Sequence, residues 1–426
     1  MKSGIINSFP GYEYVIGDDK KPHNMYRGTD LGFGGYVYGE EGMYTNVALL
    51  DVGNMHGASI VALNKFGEHT QNYIDIREAR MAIKHGDYVR AKHMLNGKLA
   101  KSIGEIEALR ADPEAQAKAA DELQGALKLV LNSTYGIAAA KFDNPLRDPR
   151  DKNNIIALRG ALFMRTLQDE VTGRGFKVIS IRTDSLKIPD ATDEIISFVI
   201  DFGKKYGYEF EHECTYDKLC LVNQAVYVAK YDEYGIRNKG GKHAGEWTAT
   251  GAQFQVPYVF KTLFSKENLE HSDLCETKET KVGGGLYLDM NEGMGPDEHN
   301  YQFIGKVGQF CPIKPGCGGG VLVREMNGKY NAATGTKKPK GSFDKKAGEE
   351  ETYRWLESET VEVLDKWDDV DHSYYKVLVD EAVETISQYG DFEWFVSDEP
   401  VAKPVNMNFM NLPEEVGDEV VELPFD

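Results

Sequence analysis

The sequence has few cysteines and no long hydrophobic run. Its five cysteines (Cys214, Cys220, Cys275, Cys311 and Cys317) form no CxxC pair, and no histidine follows at zinc-finger spacing. No apolar stretch approaches the roughly 20 residues that span a bilayer, and Met1 opens a polar segment that lacks the hydrophobic region of a signal peptide. We therefore expect reduced thiols, no structural zinc, no membrane partner, and a soluble protein of the cytoplasm.

The chain also lacks an excess of basic residues. It has 68 acidic and 49 basic residues and a net charge of -19, which argues against a nucleic-acid partner at first sight. However, Ser342–Asp426 holds 24 of the acids and 6 of the bases, which leaves 44 acids and 43 bases before it. The body of the protein is therefore almost neutral and has the residues to form a basic groove.

The hydrophobic content of 41% is that of a folded protein, and 426 residues suffice for two or three substructures. Asn46–Asp51 is predicted to be a buried strand, and Val178–Ile188 a hairpin whose tip is the polar stretch from Arg182 to Ser185. A helical pair is predicted over Ile76–Ile106 and Ala115–Leu131, with a break at Asp112-Pro113 and an end at Tyr135-Gly136. The other predicted elements are helices at Ile155–Val171, Asp193–Tyr206, Glu349–Asp365 and Tyr374–Gln388, and a strand at Leu219–Lys230. The region between Gly283 and Gly341 is interpreted as poorly periodic, with many loops.

Two acidic residues stand at the ends of predicted strands. Asp51 ends the first strand and Asp184 lies at the hairpin tip, so in one sheet the two carboxylates are expected to lie side by side. Converging carboxylates suit magnesium, which prefers oxygen ligands and leaves room for phosphate and water. The alternative is that Thr183, Asp184 and Ser185 are ordinary turn formers whose side chains bond nearby backbone.

One helix face aligns a cation, an amide and an aromatic ring. Lys128, Asn132 and Tyr135 follow each other at i, i+4 and i+7, which places them on one side of a helix. Lysine can contact phosphate as a point charge, and tyrosine can pack on a base or sugar. The alternative is a helix with a solvated lysine and a half-buried tyrosine.

These stretches resemble motifs of the family B DNA polymerases. The string from Lys128 to Gly136 has the form KxxxNSxYG of the fingers motif, and Thr183-Asp184-Ser185 is similar to the second half of the palm motif DTDS. Asp51 falls at the aspartate of the first palm motif, in the order and spacing of the family. Gly34-Gly35-Tyr36-Val37 resembles the lead-in to that motif, and Val226-Tyr227 lies near the primer-gripping motif. The resemblance extends from about Phe33 to Lys230.

The resemblance implies a role for each matching residue. It makes Asp51 and Asp184 the catalytic acids, which bind two Mg²⁺ ions, or Mn²⁺ as a substitute, together with the carbonyl of Val52. The residues that it assigns to the incoming dNTP are Lys128, Asn132, Tyr135, His56, Asn54, Met55 and, as a second cation, Lys98 in preference to Lys101. Tyr227, Gly35 and Gly136 are assigned to the primer-template DNA.

The implied fold class is α+β, a right-hand polymerase with an antiparallel palm sheet and an inserted helical fingers hairpin. We expect residues 1–72 to be the lead-in and first part of the palm, 73–140 the fingers, and 141–245 the rest of the palm. Residues 246–400 are expected to form a thumb and divergent region, and 401–426 an acidic tail. The implied function is template-directed DNA synthesis by two-metal phosphoryl transfer.

The sequence departs from the family pattern at several positions. Arg182 replaces the first acid of DTDS, His56 stands where a tyrosine usually blocks a ribose 2′-hydroxyl, and Gly57 replaces a proline. These departures leave two alternatives open: a catalytically weak, polymerase-like scaffold that binds DNA, or a primase-polymerase with relaxed sugar selectivity.

Two further expectations concern partners. Only 50 residues precede Asp51, too few for the exonuclease domain of the family, so we expect no proofreading in this chain; a separate exonuclease chain, a truncation and a loss of editing all remain open. The variants resemble those of phage polymerases, which implies phage DNA replication in the host cytoplasm. The acidic tail ends in Leu423-Pro424-Phe425, a peptide that a sliding clamp or another replication protein would be able to capture.

Overall fold

The chain divides into two compact units. The first comprises Met1–Lys218, Tyr231–Gly245 and Val401–Asp426, and the second comprises Leu219–Lys230 and Glu246–Pro400. The structure is a computed structural model that describes residues 8–140, 142–144, 146, 154–233, 235, 243–281, 284–295, 297–326, 328, 330–331, 336–337, 340–345 and 353–402. The finer division into five segments stays a prediction.

The first unit contains two β-sheets. In chain order its strands are β1 Glu13–Ile16, β2 Pro22–Tyr26, β3 Thr29–Asp30, β4 Val37–Gly39, β5 Gly42–Val52, β6 Ser180–Arg182, β7 Ser185–Ile188 and β8 Phe210–Leu221. The small N-terminal sheet has the order β1-β2-β3, and in the large sheet the strands of this unit follow the order β8-β5-β7-β6-β4. Strand β5 pairs with β7, β7 with β6, and β6 with β4, all antiparallel. The α+β class with antiparallel sheets is therefore confirmed.

Strand β5 places Asp51 on the face opposite to the main hydrophobic core. Ala48, Leu50 and Val52 are at most 2% exposed and join the main hydrophobic core. Their neighbours across β7 are Ile188 and Leu186, which lie in the same core. Because side chains alternate along a strand, Asp51 points to the other face. The predicted buried strand and the predicted hairpin are both confirmed.

The helices of the first unit surround this core and extend it. They are α1 Met55–Ala62, α2 Thr70–Lys84, α3 Tyr88–His93, α4 Ala100–Ala108, α5 Pro113–Ala139, α6 Ile155–Thr172 and α7 Asp193–Lys205, with 3₁₀ turns at Gly67–His69, Leu95–Gly97 and Leu109–Ala111. Helix α6 is apolar on most of its surface and packs into the main core. The predicted helices at Ile155–Val171 and Asp193–Tyr206 are confirmed.

The single helix predicted over Ile76–Ile106 is wrong, because the helical conformation is interrupted twice. Gly86 adopts a left-handed φ of 75° after α2, and the Asp87 side chain accepts the first hydrogen bond of α3 from the Arg90 amide at 3.1 Å. Leu95 and Asn96 are also left-handed, with φ of 50° and 56°. A glycine followed by an N-cap residue marks the end of one helix and the start of the next. Helix propensity alone does not detect this signal.

The second helix of the predicted pair is longer than expected. The break at Asp112-Pro113 is confirmed, since the Asp112 carboxylate caps α5 by accepting from the Ala115 amide at 3.1 Å. The predicted end at Tyr135-Gly136 is wrong, because α5 continues to Ala139. Glycine costs about 1 kcal/mol within a helix, and burial of Ala138, which is 8% exposed, favours the extra turn.

The second unit contains mostly short strands. They are β9 Tyr227–Tyr231, β10 Trp247–Ala249, β11 Glu276–Glu279, β12 Leu286–Asp289, β13 Tyr301–Gly305, β14 Val307–Ile313, β15 Val321–Glu325, β16 Tyr330–Asn331, β17 Thr336–Lys337, β18 Phe343–Lys345 and β19 Arg354–Glu357. They form sheets in the orders β11-β14-β19, β13-β12-β15-β18 and β16-β17, and β9 pairs with β10. The poorly periodic region between Gly283 and Gly341 therefore contains the strands β12 to β17, which are too short to show a period.

The helices of the second unit are α8 Ala252–Gln255, α9 Pro257–Phe260, α10 Ser358–Val363, α11 His372–Ser387 and α12 Phe392–Val396, with a π-helix at Lys261–Ser265 and 3₁₀ turns at His271–Leu274 and Trp367–Asp369. Helix α11 confirms the prediction over Tyr374–Gln388. Helix α10 covers only part of the predicted helix Glu349–Asp365, because β19 comes first and buries Trp355 and Leu356. Residues 349–352 of that prediction lie outside the described residues.

The single strand predicted over Leu219–Lys230 is also wrong. The chain turns after the end of β8, where the Asn223 side chain accepts hydrogen bonds from the amides of Ala225 and Val226 at 2.8 and 2.9 Å. An asparagine that bonds its own backbone in this way is a turn former.

Among the described helices of the protein, none is both long enough and apolar enough to cross a membrane.

Candidate active site

The two acidic residues lie at neighbouring strand ends in the large sheet. Asp51 is the Cα partner of Ser185 in the pairing of β5 with β7. The Val52 amide donates to the backbone oxygen of Asp184 at 2.9 Å, which ties the tip of the β6–β7 hairpin to the end of β5. The predicted juxtaposition is confirmed, and residues 133 positions apart meet at one edge.

The charge of this pair is unfavourable without a cation. Burial, followed by the nearby charges of Asp184, Glu213 and Glu211, raises the pKa of Asp51 to about 7, against a weak opposing effect of Lys84. Burial also raises the pKa of Asp184. A bound cation would relieve both effects, because opposite charge favours the ionised carboxylates.

This donor set fits a hard divalent cation, but it is small. In the part of the chain that the structure describes, no group of three or more His, Cys, Asp and Glu side chains is arranged to hold a metal ion. The ligands that the sequence predicts are the two carboxylates and the carbonyl of Val52. All are oxygen donors, as magnesium prefers.

Lys128 lies on α5 and its charge reaches the acidic pair. The side chain is exposed, and the charge of Lys128 acts on Asp184 to favour its ionised form, as that of His56 does when its ring is protonated. Asn132 lies one turn further along the same helix and is exposed as well. Within the motif of α5, Lys128 is thus the residue whose charge acts on Asp184.

Tyr135 and His56 form a stacked pair. Their ring centroids are 4.2 Å apart with an interplanar angle of 17°. Burial lowers the pKa of His56, so the ring is neutral at pH 7. Its Nδ1 is buried without a hydrogen-bond partner among the described residues, a polar atom that a ligand would be able to satisfy.

The loop before α1 brings Asn54 and Met55 to the same edge. Asn54 adopts a left-handed φ of 64° and caps α1 by accepting from the Gly57 amide at 3.2 Å. Met55 is 2% exposed and starts α1, directly after this cap. The amides at a helix start favour an anion such as phosphate.

The remaining predicted site residues lie on several elements. Lys98 is exposed between the 3₁₀ turn at Leu95–Gly97 and α4, and Gly136 is exposed on α5. Gly35 lies against Thr183 at the hairpin tip. Tyr227 begins β9 in the second unit, where its amide donates to the Thr250 hydroxyl at 3.0 Å. The roles of these residues stay predictions.

Sequence reasoning missed a buried cation beside the acids. Lys187 is 3% exposed and is the partner of Leu49, so it shares the sheet face of Asp51. Burial is the main reason that its pKa falls to about 8. The signal was the position of this lysine, which alternates with the apolar residues Leu186 and Ile188.

A second missed feature is a pair of salt bridges between α2 and the start of β8. Arg77 pairs with Glu209 at 3.2 Å, and Lys84 pairs with Glu211 at 3.5 Å. Arg77 and Lys84 are two helical turns apart, whereas Glu209 and Glu211 are two positions apart in an extended chain, so both pairs fit one contact face. No local sequence pattern signals this contact, because the paired residues lie more than 120 positions apart.

Asn154 was also missed, and it supports the stacked pair. Its side-chain amide donates to the Tyr135 hydroxyl at 3.1 Å and lies 3.5 Å from the backbone oxygen of Phe33. Asn154 itself is left-handed, with φ of 46°, at the start of α6. A single asparagine before a helix gave no signal in the sequence beyond a cap.

Comparisons with known proteins give little guidance. No family model matches the chain, and no curated protein matches its sequence. Among solved structures, it is similar to the family B DNA polymerase of the hyperthermophilic archaeon Pyrobaculum calidifontis, with 14% identity and a TM-score of 0.42. The match covers 89% of this chain and 47% of that one, so the chain spans about half the length of the polymerase. A likeness this distant does not carry a functional argument.

Proposed function

We propose that the chain is a DNA-directed DNA polymerase, which extends a primer 3′-hydroxyl with dNTPs on a DNA template. The observation that supports this most is the meeting of three separate motifs. Asp51 and Asp184 end neighbouring strands, the charge of Lys128 reaches Asp184, and Tyr135 stacks on His56. Turn formers and a solvated helix face would have no reason to converge.

The carboxylates of Asp51 and Asp184, with the carbonyl of Val52, would hold two Mg²⁺ ions. Bound there, the ions would supply charge stabilisation to the attacking and leaving oxygens of a phosphoryl transfer. Mn²⁺ has similar ligand preferences and is the expected substitute.

The other residues would bind and orient the dNTP. The ammonium group of Lys128 would pair with the triphosphate, as would the amides near Asn54 and Met55. The neutral His56 ring would lie under the sugar, with its position fixed by the stack on Tyr135. Holding the α-phosphate and the primer hydroxyl at contact distance then supplies much of the rate enhancement.

The test is extension of a labelled primer-template with dNTPs and Mg²⁺. We expect the wild type to extend the primer and Asp184→Asn to lose extension by at least about 1,000-fold, since a neutral amide is a poor magnesium ligand. Asp121→Asn, an exposed residue of α5, is the matched control and should extend as the wild type does. Equal extension by Asp184→Asn and the wild type would refute the proposal.

A second candidate function is a polymerase-like scaffold that binds DNA without catalysis. Arg182 favours it, because this residue shares the sheet face of Ser185 and Asp51 and adds positive charge where the family has an acid. DNA binding by a wild-type protein that does not extend primers would support this candidate. Phage replication, a separate exonuclease chain and a partner of the acidic tail stay predictions, and residues 403–426 lie outside the described residues.

A further inference from the structure

The tip of the β6–β7 hairpin is held in an unusual backbone conformation. Thr183, immediately before Asp184, has a left-handed φ of 53°. A β-branched residue is strained there, at a cost on the order of 1–3 kcal/mol, and persists only when its surroundings fix it. The conformation therefore needs contacts that hold the tip.

Two backbone hydrogen bonds hold the tip from opposite sides. On one side, the Thr183 amide donates to the backbone oxygen of Tyr36 at 3.0 Å. On the other side, the Val52 amide donates to the backbone oxygen of Asp184 at 2.9 Å. A displacement of Thr183 would therefore move Asp184 away from the end of β5.

Gly35 allows the first of these contacts to form. A Cβ atom at position 35 would lie 2.4 Å from Oγ1, 2.5 Å from Cγ2 and 2.7 Å from Cβ of Thr183. These distances are too short for any side chain, so one of the two segments would have to shift. Gly34, the preceding residue, offers open space at the same position, with no atom within 4 Å.

The segment Phe33–Tyr36 also lies next to the residues that face the dNTP. The side chain of Asn154 is 3.5 Å from the Phe33 backbone oxygen and donates to the Tyr135 hydroxyl at 3.1 Å. Tyr135 in turn stacks on His56. One short segment thus contacts the turn of Asp184 and adjoins the support of the stacked rings.

We propose that Gly35 is a positioning residue for Asp184: the bare backbone of this glycine lets the segment Phe33–Tyr36 clamp the hairpin tip and fix the carboxylate beside Asp51. The inference rests on the proposed function for its kinetic consequence. It gives Gly35 a role in supporting the turn that carries Asp184, in addition to the contact with primer-template DNA that the sequence predicts. The side chain of Thr183 occupies the space that a side chain at position 35 would need.

The experiment compares Gly35→Ala with the matched control Gly34→Ala. We expect kcat for primer extension to fall about 100-fold in Gly35→Ala, as a misplacement of about 1 Å can cause. The KM for dNTP should change by less than about threefold, because the dNTP contacts lie on other elements. Gly34→Ala should stay within about twofold of the wild type in both. A kcat that is equal in the two variants would overturn the proposal.

A rescue experiment separates positioning from general damage. Thr183→Gly removes all three atoms that a Cβ at position 35 would strike, so the double variant with Gly35→Ala should match the Thr183→Gly single variant in kcat. Thr183→Ala keeps its Cβ at 2.7 Å and should rescue less. If the effects of Gly35→Ala and Thr183→Gly simply multiply, the two residues are independent and the proposal is wrong.

A wild type that does not extend primers would refute the proposed function but not the positioning role. Mn²⁺ binding then gives the answer, because it requires the two carboxylates and no catalysis. We expect Gly35→Ala to weaken Mn²⁺ binding about tenfold and the double variant with Thr183→Gly to restore the affinity of the single Thr183→Gly variant. Equal Mn²⁺ affinity in the wild type and Gly35→Ala would contradict the positioning role.

Discussion

Replacing Asp51 by asparagine should stabilise the protein while it removes activity. In the folded protein Asp51 keeps its proton up to about pH 7, whereas in the unfolded chain it loses the proton near pH 3.8. Between these values the folded state binds more protons, so the free energy of unfolding falls as pH rises and levels off above pH 7. Asp51→Asn removes this dependence, because its amide does not ionise.

The size of the effect follows from the pKa change. A rise of roughly three pH units corresponds to about 4 kcal/mol at 1.36 kcal/mol per unit. The Asp51 side chain is only half-buried and keeps part of its hydration, so we expect a gain of about 2 kcal/mol for Asp51→Asn at pH 8. The gain should shrink to a small remainder towards pH 4, where the wild-type carboxyl is protonated in the folded state and partly protonated in the unfolded state.

The assay is urea unfolding of the wild type and Asp51→Asn between pH 4 and 8 without divalent cations. Asp121→Asn is the control for a surface aspartate and should match the wild type within about 0.5 kcal/mol. Added Mg²⁺ should stabilise the wild type and leave Asp51→Asn nearly unchanged. If Asp51→Asn is no more stable than the wild type at pH 8, then burial and the neighbouring acids do not raise the pKa of Asp51.

Three further predictions concern single side chains. Lys128→Ala should lower kcat/KM for dNTP about 100-fold by removing a phosphate contact, whereas Lys118→Ala, exposed on the same helix, should not; equal kinetics would exclude a role for Lys128. His56→Ala should raise ribonucleotide insertion about tenfold relative to dNTP insertion by opening the space under the sugar, and unchanged sugar selectivity in primer extension would contradict a steric role. Cys275 and Cys311, whose Sγ atoms are 3.0 Å apart, should form a disulfide when treated with oxidised glutathione, and non-reducing peptide mapping that finds both thiols free would show that they are not neighbours.

The parts of the fold that the sequence predicted well are those whose pattern is local. Strand β5, the β6–β7 hairpin and helices α6 and α7 each carry an apolar period long enough to identify. The same period placed Asp51 and Asp184 at strand ends, and their pairing needed only one sheet. Helical spacing aligned Lys128, Asn132 and Tyr135 on one face, and the resemblance of their string to the fingers motif assigned them to the dNTP.

The parts that were missed depend on contacts between distant stretches. Strand β19, for example, forms because Leu356 pairs with Cys311 of β14. The burial of Lys187 is decided by neighbouring strands, since its own stretch offers only a lysine between two apolar residues. Propensity could not predict these features, because tertiary packing outweighs it.

Because α5 is long, a small tilt about one end would displace the other end over a large distance. Its 27 residues extend over about 40 Å, with Tyr135 near one end and the Asp112 cap at the other. A tilt of about 15° around the end at Ala139 would move Lys128 by about 4 Å and the Asp112 end by about 10 Å. Tyr135, about 6 Å from the pivot, would move by less than about 2 Å, so a label near Asp112 would report a movement several times larger than the one at the stacked rings.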